Sequence, residues 1–177
     1  MSESVSTRDT SDVDHQLDFS AFVETRWRLA VARAYRLTLD PSEAEELAQD
    51  SFVRVWEKWD RIASQNPDAY LQRVLTNRYL SRTRRLVTMR RLVHVLRHSD
   101  SQPDPAEELS ERDMLLQALQ HLTPTQRAVV LLRFVEDLSV AQVADILGCS
   151  TGSIKTHTSR ALATLRQILP TTIELPT

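Results

Sequence analysis

Six polar residues near the C-terminus have types and a spacing suited to binding DNA. They are Thr151, Ser153, Lys155, Thr156, Ser159 and Arg160. If this stretch is a helix, their hydroxyl, ammonium and guanidinium groups are exposed and can bond base edges and phosphates. The pattern therefore predicts a helix that contacts duplex DNA.

The residues before this stretch predict the turn that would position such a helix. Ser139 can cap a short helix, with a glutamine three residues later to complete a capping box. Gly148 suits the left-handed residue that ends that helix, and Ser150 can cap the next one. We interpret the segment as a helix-turn-helix, since the turn, both caps and the small residues agree. The alternative is an ordinary helical hairpin with a solvated polar face.

A second stretch with a pattern suited to nucleic acid is rich in arginine. Residues 69–99 carry eight arginines and no Asp or Glu, although the whole chain has a formal net charge of only −2. A solvated face is disfavoured because uncompensated cations repel one another. A membrane-surface helix usually has lysines and a broad aromatic face. Binding to nucleic acid is the favoured interpretation, and Thr76, Asn77 and Tyr79 could bond or stack on unpaired bases.

A third stretch combines an aromatic pair with polar residues. Phe52 and Trp56 are four residues apart, with Val53 beside them and Glu46, Gln49 and Asp50 nearby on the same predicted helix. A helix that is apolar on more than one side needs more than one partner. On periodicity alone, burial of Phe52 and Trp56 in a small bundle is favoured over a docking surface.

These stretches must be positioned by helices. The chain has only two glycines, and capping residues precede proline at Asp40-Pro41, Asn66-Pro67 and Thr123-Pro124. We therefore predict an all-α fold. The predicted helices span residues 17–38, 41–59, 67–97, 107–121, 124–136, 139–147 and 150–168.

The composition also changes along the chain in a way that predicts domains. We expect a disordered acidic tail at residues 1–15, a helical domain at 16–97 and a second domain at 111–170. Residues 98–110 between them are polar and broken by two prolines, which is typical of a linker. Residues 171–177 form a short tail.

Several classes of function are disfavoured by what the sequence lacks. Cys149 is the only cysteine, which argues against a disulfide framework or a cysteine-rich metal site. The histidines are scattered, so we expect neither a metal nor another cofactor. The sequence has no evident signal peptide and no apolar run long enough to span a membrane, which favours a cytoplasmic protein. No nucleophile–base pair is legible, so an enzyme is the least favoured class.

The order of these motifs resembles that of the extracytoplasmic-function group of bacterial RNA polymerase sigma factors. Residues 43–59 look like the polymerase-binding helix of that family, residues 69–85 like its −10 promoter segment and residues 120–165 like its −35 reader. The resemblance covers roughly residues 18–170. It implies a sigma-two-like helical bundle and a sigma-four-like helix-turn-helix domain, joined by a flexible linker.

The resemblance also implies roles for individual residues. The positions that match the surface docking on the clamp helices of the largest polymerase subunit are Glu46, Gln49, Asp50, Val53 and Trp56. Trp56 thereby becomes a candidate interface anchor instead of a core residue. The positions that match the face engaging the melted −10 strand are Asn77, Arg78, Ser81, Arg82 and Arg85. Lys155, Ser159 and Arg160 match −35 contacts, and the loop 61–68 is similar to one that holds a flipped base.

The expected function is therefore that of a sigma factor, which performs no covalent chemistry. It would bind core polymerase, the −35 duplex and the −10 strand, and capture of unpaired bases would offset the cost of unstacking them. An anti-sigma factor is a further candidate partner. The main alternative is a conventional regulator with a similar helix-turn-helix, which would require a receiver or partner-sensing domain. No pattern of alternating strands and helices predicts such a domain here.

Overall fold

A computed structural model of the chain describes residues 6–92 and 111–170. Within these residues it contains helices and no strands, which confirms the predicted all-α class. The helices are α1 (Ser6–Thr38), α2 (Pro41–Trp56), α3 (Trp59–Ile62), α4 (Pro67–Leu92), α5 (Glu111–Gln120), α6 (Pro124–Val130), a π-helical segment (Leu131–Val135), α7 (Val140–Leu147) and α8 (Thr151–Ile168).

The three helix starts predicted from proline motifs are confirmed. Asp40 Oδ1 accepts a hydrogen bond from the Glu43 amide at 2.8 Å, at the start of α2. Asn66 Oδ1 accepts one from the Ala69 amide at 2.9 Å, at the start of α4. At α6, Thr123 forms a reciprocal capping box with the glutamine three residues later. In each case proline occupies the first helical position, where its missing N–H costs nothing.

The beginning of α1 differs from the prediction. The helix starts at Ser6, so residues 6–15, predicted to belong to a disordered tail, are helical. No proline or glycine interrupts the sequence between Ser6 and Thr38, which allows one continuous helix. The predicted linker at 98–110 and the predicted tail at 171–177 lie outside the described residues.

Two predicted helices are also divided. The helix predicted at 41–59 becomes α2 and α3, because the backbone leaves helical geometry at Lys58 (φ −123°, ψ 6°). This break allows Trp59 and Ile62 to be buried. The helix predicted at 124–136 passes from α6 into the π-helical segment, an alternative hydrogen-bonding pattern that apolar periodicity does not distinguish.

The chain divides into two compact units, Met1–Arg78 and Tyr79–Thr177. Their boundary lies inside α4, whereas the sequence predicted a boundary after residue 97. Because α4 continues through this boundary, no proline or glycine marks it in the sequence. In the first unit α1 packs against α2. The buried residues there are mostly small or aliphatic and include Ala30 and Ala34 of α1 and Leu47 and Ala48 of α2.

In the second unit, α6 and α7 pack against α8 around one apolar cluster. Its buried members are Val129, Leu132, Val143, Ala144 and Ile154. Arg127 of α6 lies beside this region, and its Nε donates to the Leu119 carbonyl of α5 at 2.9 Å. Burial lowers the pKa of the Arg127 guanidinium from its ordinary value. The cluster fixes the position of α8, whose other face stays exposed.

Candidate docking and nucleic-acid surfaces

Helix α2 has one buried side and one exposed side, and the predicted docking residues lie mostly on the exposed side. Glu46 and Gln49 are exposed, and Asp50 is half-buried. Val53 and Trp56 keep 58% and 44% of their surface exposed. We call these five residues the docking surface. Large apolar side chains such as those of Val53 and Trp56 are seldom grouped on a surface unless a partner covers them.

The aromatic pair of α2 is divided between core and surface. Phe52 is only 5% exposed and stacks against Trp27 of α1 with ring centroids 5.9 Å apart. Trp56, one turn later, contacts Phe19 on one side at 4.9 Å and remains half-exposed on the other. Periodicity alone favoured burial of both rings. That interpretation is right for Phe52 and wrong for Trp56.

A groove between α1 and α2 extends the docking surface. It has a volume of about 490 Å³ and lies between Phe19, Val23 and Trp27 of α1 and Gln49, Val53 and Trp56 of α2. The α1 side of this groove was not predicted from the sequence. The signal was present, because Phe19, Val23 and Trp27 follow one another at intervals of four residues and so share one helix face.

Helix α4 carries all five residues predicted to bind the −10 strand. Ser81 and Arg85 are exposed, and Asn77, Arg78 and Arg82 are half-buried. Their spacing of three and four residues places most of them along one side of a continuous helix. Arg78 differs from the others in that its Nη2 lies 2.6 Å from Asp50 Oδ2 of the docking surface. No pattern in the sequence indicates this ion pair.

The start of α4 is held in place by a second ion pair. Arg26 of α1 donates from Nε to Asp68 Oδ1 at 2.6 Å and from Nη2 to Oδ2 at 3.0 Å. The hydrogen bond and the charge of Asp68 raise the pKa of the Arg26 guanidinium above its ordinary value. A paired contact of this kind fixes orientation as well as distance. It therefore positions the end of the 61–68 loop, which was predicted to hold a flipped base.

The helix-turn-helix has the geometry that the sequence predicted. Ser139 forms a capping box at the start of α7, and Gly148 ends that helix at φ 63° and ψ 40°, in the left-handed region. Ser150 then caps α8 by accepting a hydrogen bond from the Ser153 amide at 3.1 Å. The Ser153 hydroxyl lies 2.9 Å from that of Ser150, so Ser153 contributes to the cap as well as to the predicted DNA-binding face.

The remaining predicted −35 residues lie on the outside of α8. Those that are exposed are Thr151, Lys155, Thr156, Ser159 and Arg160, whereas Ser153 is half-buried. The opposite side of α8 is anchored by buried Ile154, Ala161 and Leu165. A helix anchored on one side and polar on the other can enter a major groove without disturbing its own core.

The described residues provide no evidence for a membrane-spanning helix or for a metal site. None of the helices described is long and apolar enough to cross a membrane. Residues 6–92 and 111–170 also hold no group of three or more His, Cys, Asp or Glu side chains arranged to bind a metal ion.

Comparisons with known proteins identify the family of the chain. Residues 22–89 match the family described as Sigma-70 region 2, and residues 112–165 match Sigma-70, region 4. The chain is 38% identical over 158 residues to the RNA polymerase sigma-E factor of Streptomyces avermitilis, covering 86% of each protein. It is 30% identical to the ECF RNA polymerase sigma factor SigL of Mycobacterium tuberculosis, covering 81% of each.

A solved structure gives a similar result. The chain is similar to the sigma factor RpoE of Bartonella quintana, co-crystallised with the anti-sigma factor NepR, with a TM-score of 0.68 and 27% identity. The match covers 85% of this chain and 96% of the other.

Proposed function

The chain belongs to the extracytoplasmic-function group of RNA polymerase sigma factors, and we propose that its docking surface, α4 and α8 carry the three contacts of that function. A sigma factor binds core polymerase and directs it to promoters. The finer assignment is that α2 docks on polymerase, α4 holds the melted −10 strand and α8 reads the −35 duplex. We further propose that the protein acts in the cytoplasm and catalyses no reaction.

One observation supports the polymerase contact above all. Val53 and Trp56 are more exposed than apolar residues of their size usually are, on a helix whose opposite side is buried. Gln49 and two carboxylates surround them on the docking surface. An apolar centre with a polar rim is the usual composition of a protein–protein interface. The acidic residues favour a basic surface on the partner.

The support for the DNA contacts comes from the placement of charge and hydroxyl groups. On α8, Lys155 and Arg160 are exposed on a helix fixed by a capped turn. Cations of this kind bind phosphates, and the threonine and serine hydroxyls can bond base edges. On α4, the arginines and Asn77 suit a single strand with unstacked bases. Capture of these bases would offset the few kcal/mol that unstacking costs.

Transcription from a promoter library tests the function directly. Purified chain, core polymerase and the mixture of both are each incubated with the library, and transcripts are sequenced. A sigma factor produces specific transcripts only in the mixture. A conventional regulator would instead bind duplex DNA alone and yield no initiation with core polymerase, and that result would refute the proposal.

The docking surface has its own test with a matched control. We expect Trp56→Ala to weaken core binding by roughly tenfold or more, because a half-exposed aromatic residue at the centre of an interface is the usual energetic anchor. Leu29→Ala is the control, since Leu29 of α1 is similarly exposed at 42% and lies outside the groove. Equal affinities of the two variants would contradict the placement of the docking surface.

An anti-sigma protein is a further proposed partner. The support is the likeness to a sigma factor that was co-crystallised with an anti-sigma factor. A pull-down with the tagged chain from its native host, followed by inhibition of transcription with the recovered protein, tests this proposal. Failure of every recovered protein to inhibit initiation would count against it.

A further inference from the structure

The short loop between α3 and α4, residues 63–66, exposes three polar side chains. Ser64, Gln65 and Asn66 are all exposed, and none of them carries a charge. Uncharged hydroxyl and amide groups can both donate hydrogen bonds to the edge of an unpaired base and accept them from it. The loop belongs wholly to the first compact unit. It therefore presents hydrogen-bonding groups suited to a base directly before α4 in the chain.

Helix α1 holds the chain on both sides of this loop. Before the loop, the buried ring of Trp59 in α3 packs against Phe22 of α1, with ring centroids 5.1 Å apart. After the loop, Arg26 of α1 pairs with Asp68 in the first turn of α4. Phe22 and Arg26 are four positions apart, so they are neighbours on one face of α1. One turn of α1 therefore fixes the positions of both ends of the loop.

The contact after the loop is directional. Arg26 Nε lies 2.6 Å from Asp68 Oδ1, and Arg26 Nη2 lies 3.0 Å from Oδ2, so the two planar groups meet through two hydrogen bonds. Such a pair resists rotation as well as separation. Both side chains stay largely exposed, at 40% and 41%, so the pair adds little to the stability of the fold. Asn66 transmits the orientation to the loop, because its Oδ1 accepts a hydrogen bond from the Ala69 amide of the same turn at 2.9 Å.

We propose that Arg26 is a positioning residue for a base-reading loop, residues 63–66. Arg26 holds Asp68 and so orients the first turn of α4. The loop thereby presents Ser64 and Gln65 to one unpaired base of the −10 strand. This inference rests on the proposed function and adds to it a determinant of base preference that lies on α1. Loss of the ion pair should weaken the preference for one −10 base and leave the preferences within the −35 element as they are.

A promoter library randomised at both elements measures these preferences. Full-length wild type and each variant are incubated with the library at saturating core polymerase, and the transcripts are sequenced. The preference at a position is the ratio of transcripts from the best base to those from the next best. Ser64→Ala and Gln65→Ala first locate the −10 position that the loop reads. Arg26→Ala is expected to lower the preference at that same position by roughly fivefold or more, which is the discrimination that a well-placed pair of hydrogen bonds to a base supplies.

Further variants separate positioning from a direct contact with DNA. Asp68→Asn breaks the ion pair from the other side and should lower the same preference, whereas an arginine that itself bound a phosphate would leave base preference intact when released. The double variant with Arg26→Ala should be no worse than the more impaired single variant, because both changes break one contact. Arg26→Lys keeps the charge but cannot form the two-pronged contact, so its preference should fall between those of wild type and Arg26→Ala. As a matched control, Arg28→Ala removes an exposed cation of α1 and should leave every preference unchanged.

Several results would overturn the inference. Wild-type preferences in Arg26→Ala and Asp68→Asn would mean that the ion pair does not orient the loop. Equal losses at −10 and −35 positions would indicate a general defect of the protein. Unaltered preferences in both Ser64→Ala and Gln65→Ala would mean that the loop reads no base. If circular dichroism shows that Arg26→Ala has lost its helices, Arg26→Lys decides the question, and a wild-type preference there would refute positioning. If wild type directs no initiation with core polymerase, the proposed function itself is wrong.

Discussion

The two glycines of the chain provide a sharp test of the described geometry of the helix-turn-helix, because the same substitution should have opposite effects four residues apart. Gly148 ends α7 at φ 63°, and a Cβ built there meets nothing within 4 Å. The expected cost of Gly148→Ala is therefore conformational and not steric. A left-handed alanine costs about 1–2 kcal/mol. Alanine also lowers the conformational entropy of the unfolded chain, and this offsets about 0.4–1 kcal/mol of that cost.

Gly152 lies in the first turn of α8, outside the left-handed region. A Cβ there meets only the Ser150 Oγ at 3.8 Å, which is an ordinary van der Waals contact. Alanine stabilises the interior of a helix by about 1 kcal/mol relative to glycine. Because helix ends fray, we expect about half of that stabilisation in a first turn. Gly148→Ala should thus destabilise the second unit by about 1 kcal/mol. Gly152→Ala should stabilise it by about 0.5 kcal/mol.

Urea unfolding of the full chain without DNA, followed by circular dichroism at 222 nm, measures both changes. A difference of 1 kcal/mol moves the midpoint by roughly 0.5 M at a typical slope of about 2 kcal/mol per molar urea. Ala163→Gly is the calibration, since Ala163 is exposed within α8 and its replacement should cost about 1 kcal/mol. All three tryptophans lie in the first unit, so their fluorescence reports on that unit. Stabilisation by Gly148→Ala would refute the left-handed turn.

Five other substitutions give further predictions. Phe52→Ala should destabilise the chain by about 3–5 kcal/mol, because it removes a buried ring, and Trp56→Ala should cost far less; both are measured by urea unfolding. Ser139→Ala removes a capping box at α7 and should cost about 1 kcal/mol in the same assay. Arg82→Ala and Arg85→Ala should each lower the salt slope of open-complex formation by about one unit, measured between low and moderate salt.

Each of these predictions has a result that contradicts it. Equal costs for Phe52→Ala and Trp56→Ala would mean that the two rings are equally buried. An unchanged midpoint in Ser139→Ala would mean that the cap is replaced by water. For the arginines, an unchanged slope would exclude a phosphate contact by the residue replaced, and Lys58→Ala on the exposed start of α3 serves as the control for a general loss of charge.

The helices could be predicted from the sequence wherever a local signal marks them. Capping residues before proline located the starts of α2, α4 and α6, and Gly148 located the turn between α7 and α8. These signals act over three or four residues, which is the range over which backbone hydrogen bonds are satisfied at a helix end. The break at Lys58 has no such signal, because it follows from the burial of Trp59 by residues of α1.

The candidate surfaces were predictable only in part, because local signals do not specify the contacts between helices. The polar face of α8 follows from helical spacing once its start is known. The exposure of Trp56 does not, because it depends on which aromatic residues of α1 occupy the space beside Phe52. Phe19 and Trp27 each contact a different ring of α2. The Asp50–Arg78 pair depends in turn on the placement of α4 against α2, which no pattern within either helix specifies.

The arrangement of aromatic rings also bears on how the docking surface would bind. Phe19 contacts Trp56 at 4.9 Å and buried Trp59 at 5.2 Å, so the exposed indole rests on a ring that is itself packed against the core. A side chain restrained in this way loses less rotamer entropy on binding than a free one, whose ordering costs about 0.5–1.5 kcal/mol. The core of the first unit and its docking surface are therefore not independent. Phe19 of α1, which packs against buried Trp59, is also the ring that contacts Trp56 beside the groove.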